Sequence, residues 1–255
     1  MKKSHILFVF TFLSITLFQV HSYAQRNIKD SSFVVSMISA SYSFNFVGGD
    51  LANRYGNNST IGPAFTVKLK NNWLLGADLN FIFGNNVKIQ NQIISGIATS
   101  DGNVISREGT YADIRMFERG YSASVKVGKV FPVFGSNPNS GIMFTIGGGI
   151  LRHKIRIEAD NNATPQLRDD YAKGYDRLSQ GFQMNGFLGY LNLSNKRLYN
   201  FYIGVEFMGG WTKSLRDYNF DEHKKDTKTY YDQFVGFKFG WIIPLYGRAP
   251  NEFYY

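Results

Sequence analysis

The sequence contains no cysteine among its 255 residues. This absence excludes a disulfide framework, thiol catalysis, cysteine-ligated zinc and lipidation of a cysteine after signal cleavage. Charged residues are also scarce, at 18% of the chain, against about 25% in average soluble domains. Mean hydropathy is slightly negative, which excludes a bundle of long apolar helices.

Aromatic residues, in contrast, are abundant. They make up 16% of the chain, with 23 Phe and 16 Tyr. An aromatic-rich, charge-poor chain that is not hydrophobic on average is typical of strands that alternate apolar and polar residues within a membrane. The net charge of +9 is mildly basic, but no basic cluster interleaved with aromatics indicates a nucleic-acid partner. An excess of positive charge favours anionic headgroups.

The first 24 residues have the pattern of a secretory signal peptide. Lys2 and Lys3 precede an apolar run over 6–18, and Ser22 and Ala24 supply small residues for cleavage before Gln25. A membrane anchor is the alternative, but the run is shorter than the ~20 residues of a spanning helix. We expect an exported mature chain over 25–255.

Eight segments then alternate apolar and polar residues with period 2, as half-buried strands do. They cover 34–46, 61–69, 73–84, 114–131, 141–157, 178–193, 199–212 and 230–246. Most exceed the ~9–11 residues of a tilted spanning strand. The sequence therefore predicts an all-β protein, an eight-stranded antiparallel up-and-down transmembrane β-barrel, with a short periplasmic tail over 247–255.

The connections between these segments alternate strictly between short and long. Outer-membrane barrels show this asymmetry, with short periplasmic turns and longer outer loops. The turn at Ser100 to Asn103 lies within the second long connection. It predicts a protruding hairpin that extends strands three and four. A ten-stranded barrel is the alternative interpretation.

Only helices or closed barrels can cross a bilayer, because hydrocarbon offers no hydrogen-bond partners. The apolar faces must then look outward, which leaves a glycine-rich polar face inside. Four charged residues share that inner face near mid-strand: Asp78, Lys126, Glu206 and Lys238. A lone ion in a narrow lumen is costly, so we expect the ion pairs Asp78–Lys126 and Glu206–Lys238. They either rigidify a filled lumen or form a polar constriction, and Lys68 is expected to be hydrated near the short-turn mouth.

The pattern over 33–246 resembles the small Gram-negative outer-membrane β-barrel proteins, the OmpA/OmpX/OmpW-like eight-stranded group. The last strand, from Gln233 to Trp241, looks like the C-terminal signal of that group. The resemblance implies the barrel-assembly machinery as a partner during insertion. Pro244 and the tail after it depart from the group's pattern, and we expect no peptidoglycan-binding domain after the barrel.

A search for chemistry finds little. Only His153 and His223 remain after signal cleavage, and no calcium-loop or metal-ligand spacing occurs. We expect no cofactor, no metal and no catalytic residue. Weak candidates for contact with lipid phosphates are Arg152, His153, Lys154 and Arg156, near the outer end of strand five.

The leading hypothesis is a non-enzymatic outer-membrane barrel with a structural, surface-interaction or complex-accessory role, in contact with outer-membrane lipids or lipopolysaccharide and an unknown protein partner. A narrow channel or conduit for small solutes or apolar ligands is the alternative. A lipid A-modifying enzyme is less favoured. A secreted lipocalin-like barrel with an apolar interior is a fourth possibility.

Overall fold

The computed structural model describes residues 31–159 and 164–245. Within them, eight strands form a closed antiparallel barrel in chain order. The strands are β1 (Val35–Gly49), β2 (Asn58–Lys68), β3 (Trp73–Gly84), β4 (Ile114–Phe131), β5 (Gly141–Ala159), β6 (Ser179–Asn192), β7 (Phe201–Ser214) and β8 (Thr229–Leu245). Each strand pairs with its neighbours in sequence, and β1 pairs with β8 to close the ring. The predicted fold class is confirmed, and the ten-stranded alternative is wrong for the described residues.

The two faces of each strand separate as their period-2 pattern predicts. On β1, Ile38, Tyr42 and Phe44 are exposed outside the barrel, whereas Ser41 and Ser43 are buried inside it. Successive side chains on a strand point to opposite faces. The same alternation on all strands produces an apolar outer wall, which is incompatible with a lipocalin-like barrel whose outside is polar.

The connections differ in length between the two ends of the barrel. One end carries short turns over 69–72, 132–140 and 193–200, and the other carries long connections over 50–57, 85–113, 160–178 and 215–228. The long connections contain three short helices, α1 (Leu51–Arg54), α2 (Gln90–Ile94) and α3 (Asp169–Ala172). Short 3-10 turns occur at Pro165–Leu167 and Arg197–Tyr199.

The second long connection does not form the protruding hairpin that its turn residues predict. A tight turn does lie there, since Gly102 has φ +78°. However, α2 precedes it, and Ile93 and Val104 are buried in an apolar cluster with Leu51 and Tyr55 of the first long connection. Burial of these apolar side chains outweighs continuation of the two-stranded ladder into water.

The inside of the barrel is also less polar than the sequence predicts. Apolar residues also occupy inward-facing positions, between the glycines and serines, and they form two clusters. The cluster toward the short turns contains Phe33, Val35, Met37, Leu74, Val130, Met143, Phe187, Leu191, Leu193 and Ile242. The cluster toward the long connections includes Ile82, Leu151, Ile155, Met208 and Phe234. Closure makes an interior wide enough only for packed side chains, so apolar residues there bury one another.

The prediction for Lys68 is wrong. Its side chain is fully buried at the short-turn end of β2 rather than hydrated. Lys68 Nζ donates to Asn139 Oδ1 at 2.9 Å, to Ser32 Oγ at 3.0 Å and to the Phe33 carbonyl at 3.4 Å. Three oxygens replace the water that a buried ammonium would lose. The sequence cannot show this, because these partners come from distant parts of the chain.

The predicted signal peptide over 1–24 and tail over 247–255 lie outside the described residues. In the part that is described, no helix is both long and apolar enough to cross a membrane.

Candidate functional site: a charged layer inside the barrel

Four charged side chains meet in the middle of the lumen as one network. Lys126 Nζ lies 2.5 Å from Asp78 Oδ2 and 3.4 Å from Glu206 Oε1. Lys238 Nζ lies 2.8 Å from Glu206 Oε1 and 3.7 Å from Asp78 Oδ2. Each predicted partner is therefore in contact, but each lysine also reaches the carboxylate of the other predicted pair. We call this set of four residues the charged layer.

The register explains which contacts run along the wall and which cross the lumen. Asp78 lies opposite Ser124, two residues from Lys126 on the neighbouring strand. Glu206 lies opposite Gly236, again two residues from the lysine on its neighbour. Such diagonal neighbours on one face are within reach of long side chains. The contact between Lys126 and Glu206 joins β4 to β7, which are not adjacent, so it crosses the lumen.

Neutral polar groups complete the coordination of Asp78. Ser124 Oγ donates to Asp78 Oδ1, and Asn80 Nδ2 donates to Asp78 Oδ2 at 2.9 Å. Asn185 Nδ2 donates to Ser124 Oγ at 2.9 Å, which links β6 to the same site. A buried ion pair stabilises a protein only when the remaining lone pairs are also satisfied. Asp78 meets this condition, because two lysines and two neutral donors surround its carboxylate.

Glycine makes room for these long side chains. At Gly147 of β5, a Cβ would lie 2.6 Å from Asn185 Oδ1 and 2.8 Å from Lys126 Cγ. Both distances are shorter than side-chain packing allows. The missing side chain at Gly147 therefore lets Lys126 extend across the barrel toward Glu206.

Apolar side chains close the lumen on both sides of the charged layer. The short-turn cluster includes Phe187, whose ring packs edge-on against Tyr202 with centroids 5.5 Å apart. Between this cluster and the charged layer lies a cavity of about 60 Å³, lined by Met37, Leu74 and Met143 among others. A water molecule needs roughly 10–15 Å³ of such space, so the cavity holds only a few waters.

His153 lies inside the barrel and does not contact lipid. It is 1% exposed, and its Nε2 is 3.0 Å from Asp232 Oδ2, which also accepts from Thr212 Oγ1 at 2.6 Å. The Tyr55 ring packs edge-on against the imidazole at 5.8 Å. The prediction of a lipid-phosphate contact for His153 is therefore wrong. His153 has the odd numbering of Leu151 and Ile155, whose side chains point inward on the same strand. This alternation along the strand predicts the inward position of His153 from the sequence.

Arg152, Lys154 and Arg156 lie on the opposite, outer face of β5. Arg156 Nε is 2.9 Å from Glu158 Oε1 on the same strand. Arg152 donates to the Tyr121 hydroxyl at 3.4 Å. The structure therefore separates the four lipid-contact candidates into three outward cations and one inward histidine.

Ion pairs hold the long connections together over the barrel end. Arg177 pairs with Asp221, and with Glu222 at 3.1 Å, which raises the pKa of the guanidinium although burial opposes the charge. Arg216 makes two bonds to Asp176, at 2.8 and 2.5 Å, and this raises its pKa as well. Arg54 lies 3.5 Å from Asp226. These pairs join the first and third long connections to the fourth.

Residues that could hold a metal do not converge. Among residues 31–159 and 164–245, no group of three or more His, Asp or Glu side chains is placed to bind a metal ion.

No protein-family model matches the chain, and no curated protein matches its sequence. Among solved structures, the chain is similar to Ail, the attachment invasion locus protein of Yersinia pestis, with 11% identity, a TM-score of 0.41 and coverage of 83% of this chain and 99% of that one. It is also similar to the N-terminal β-barrel domain of Pseudomonas aeruginosa OprF, with 10% identity, a TM-score of 0.34 and coverage of 80% and 96%. Such likenesses concern the fold alone.

Proposed function

We propose that this chain is an integral outer-membrane β-barrel protein whose filled lumen makes it a structural or surface-contact element rather than a pore. One observation carries the proposal: a ring of apolar side chains is exposed on the outside of a closed barrel whose mid-strand charged layer is inside. On β3, the exposed residues run from Trp73 to Phe81. That stretch is about 26 Å long at ~3.3 Å per residue. A tilt of about 40° projects it to roughly 20 Å along the membrane normal, comparable with the ~25 Å apolar band of such barrels.

Aromatic residues support the same placement in a bilayer. Trp73 and Trp241 are exposed near the short-turn end, and Trp211 is exposed near the long-connection end. Amphipathic rings of this kind favour the two membrane–water interfaces. An outer wall of this composition in water would be an aggregation hazard. Export by the signal peptide over 1–24 and insertion by the barrel-assembly machinery belong to this proposal.

The closed lumen favours a role that does not depend on permeation. The charged layer spans the interior, and an apolar cluster lies on each side of it. An ion would have to pass two apolar constrictions and displace paired charges. The long connections are packed and ion-paired at one end, so they offer an ordered surface to a partner.

Fractionation tests membrane insertion directly. We expect the protein in the outer-membrane fraction, and we expect a shift in gel mobility between unheated and boiled samples, because a closed barrel resists detergent at low temperature. A soluble periplasmic pool with no mobility shift would contradict the proposal. A variant with charges on the outer wall, Leu79→Glu and Phe237→Glu, serves as the control that should fail to insert.

A narrow conduit is the second candidate, and the cavity beside the charged layer favours it. Lys126 is the most exposed member of the layer, at 17%, so water can reach it. Planar-bilayer recording separates the two proposals. Discrete single-channel openings in the wild-type protein would support the conduit, whereas a silent bilayer with demonstrably inserted protein supports the filled barrel.

A lipid A-modifying enzyme receives less support from the geometry. His153 would be its base, but it is enclosed within the barrel and its bond is to Asp232. Unchanged lipid A mass spectra in a deletion strain would agree with a non-enzymatic role. A change restored by the wild type but not by His153→Ala would overturn it.

A further inference from the structure

Three cations lie close together on the outer wall, on the long-connection side of the apolar band. They are Arg119 on β4 and Arg152 and Lys154 on β5. Arg119 lies directly opposite Lys154 in the β4–β5 ladder. Arg152 lies opposite Tyr121 in the same ladder, one outward-facing position nearer the short-turn end. We call this set of three residues the cation triad.

The cation triad has no carboxylate to balance it. Within the part of the chain that the structure describes, none of its members forms an ion pair. Arg119 donates to two backbone carbonyls, Gly84 at 3.2 Å and Glu118 at 2.7 Å. Arg152 donates to the Tyr121 hydroxyl at 3.4 Å, and its guanidinium lies 5.9 Å from the centroid of the same ring. A guanidinium has five N–H donors, so both arginines retain donors for a ligand.

The neighbouring cations on the same wall are neutralised. Arg115 pairs with Asp113 at 2.8 Å, and Arg156 pairs with Glu158 at 2.9 Å. Two like charges directly opposite each other destabilise a sheet. The pair Arg119–Lys154 therefore carries a cost that no carboxylate among the described residues of this wall offsets, although Arg119 also packs over the Phe117 ring at 4.8 Å. An anion between the two cations would remove that cost.

The surroundings indicate which anion. A surface groove of about 430 Å³ is lined by all three members of the cation triad, by Phe81 and Tyr121, and by Arg216. Arg216 is already bound by Asp176 at 2.8 and 2.5 Å. Phe81 and Tyr121 lie in one row of the sheet with Arg152, one outward position below Arg119 and Lys154. Both rings are exposed, at the level where aromatic rings meet headgroups. A ligand here has its charge in the groove and its apolar part against the wall.

We infer that the cation triad binds the phosphomonoester of an outer-leaflet lipid of the lipid A type. This rests on the proposed function, which places the long connections at the outer surface. A phosphomonoester carries about −1.5 to −2 charges at neutral pH and three acceptor oxygens. It matches three cations better than the single charge of a phosphodiester. Arginine bonds to phosphate are charge-assisted and can be bidentate.

The test uses the full mature chain in phosphatidylcholine nanodiscs, doped in separate arms with lipid A, enzymatically dephosphorylated lipid A or phosphatidylglycerol. A fourth arm adds inorganic phosphate to undoped discs. Lipid retention is read by native mass spectrometry, and stability by the thermal transition. Only lipid A should be retained and protective. Equal protection by inorganic phosphate would assign the site to the free ion instead.

The variant Arg119→Gln with Lys154→Gln should weaken lipid A retention by at least about tenfold, the equivalent of one good charge-assisted contact. In undoped discs the same variant should be more stable than the wild type, since the repulsion is gone. This reversal of sign distinguishes a ligand site from a merely structural role. The matched control is Arg115→Gln with Arg156→Gln, which removes two neutralised cations from the same wall and should retain lipid A.

Equal loss in both double variants, or equal retention of dephosphorylated lipid A, would overturn the site. A chain that inserts into undoped discs but shows no phosphate dependence overturns only this inference. A chain that inserts into no disc overturns the proposed function itself.

Discussion

Lys126 on β4 lies 3.4 Å from Glu206 on β7, a strand that is not adjacent to β4. This contact across the lumen turns two wall-bound pairs into a single charged layer. Charges in such a layer depend on one another, because each lysine faces two carboxylates and each carboxylate faces two lysines.

Removing one lysine should therefore cost more than an isolated pair would. Lys238→Gln leaves Asp78 and Glu206 to share Lys126 in a buried site. We expect the free energy of unfolding to fall by about 3–5 kcal/mol, measured by urea titration in lipid vesicles. Lys225→Gln, which breaks an exposed pair with Asp217, should change it by less than about 1 kcal/mol. Equal effects of the two variants would contradict the account of the charged layer.

Neutralising the whole charged layer should not open the barrel. The neutral variant carries Asp78→Asn, Lys126→Gln, Glu206→Gln and Lys238→Gln. Its apolar clusters remain on both sides of the layer. We expect no discrete openings in a planar bilayer. Adding Phe187→Ala and Leu74→Ala on the short-turn side, and Leu151→Ala and Phe234→Ala on the other side, should produce them. Those side chains belong to the two clusters that close the lumen. Openings in the neutral variant alone would show that the charges are the seal.

Gly147→Ala should disturb the charged layer without adding charge. Its Cβ would press on the Val125 carbonyl oxygen as well as on Asn185 and Lys126, and overpacking of this kind costs about 1–3 kcal/mol. The matched control is Gly186→Ala on the outer face of β6, where the nearest atom, the Thr145 carbonyl oxygen, is 3.8 Å away. Urea unfolding of both variants measures the difference. A control as destabilised as Gly147→Ala would refute the steric explanation.

Asp50 should titrate below its ordinary pKa of 3.8. The backbone N–H of Tyr231 donates to its carboxylate, and Lys228 lies 3.1 Å away, and both lower the pKa. Since the folded pKa is depressed, the contact contributes fully above pH 3.8 and is lost as pH falls through the lowered value. Carboxyl ¹³C titration by NMR in micelles would give the midpoint. Lys228→Gln should raise it only partly, because the backbone bond remains. A midpoint at or above 3.8 would exclude the contact.

The sequence predicted the strands closely because alternation is a local signal. The predicted bounds of the third and fourth segments, 73–84 and 114–131, coincide with β3 and β4. The first strand extends three residues beyond its prediction, to Gly49, because Val47 packs on the apolar cluster under the long connections. The helices in those connections were missed, since each is shorter than the windows in which helical periodicity can be detected.

The candidate sites were predictable only in part. Parity placed Asp78, Lys126, Glu206 and Lys238 inside, but it could not say which charge faces which across the lumen. The same alternation along β5 separates the inward-facing His153 from the outward-facing Arg152 and Lys154. The burial of Lys68 depends on Ser32 and Asn139, whose approach requires the closed ring.

What the sequence by itself determined was the barrel: alternation chose the faces, turn lengths ordered the ends, and the absence of cysteine and of long apolar runs removed the other architectures. Only the tertiary structure decided the contents of the lumen and the pattern of charge on the wall. The physical reason is that strand pairing brings together residues far apart in the chain. Arg119 becomes costly only when closure of the ladder sets it opposite Lys154, and Lys126 reaches Glu206 only when the ring closes.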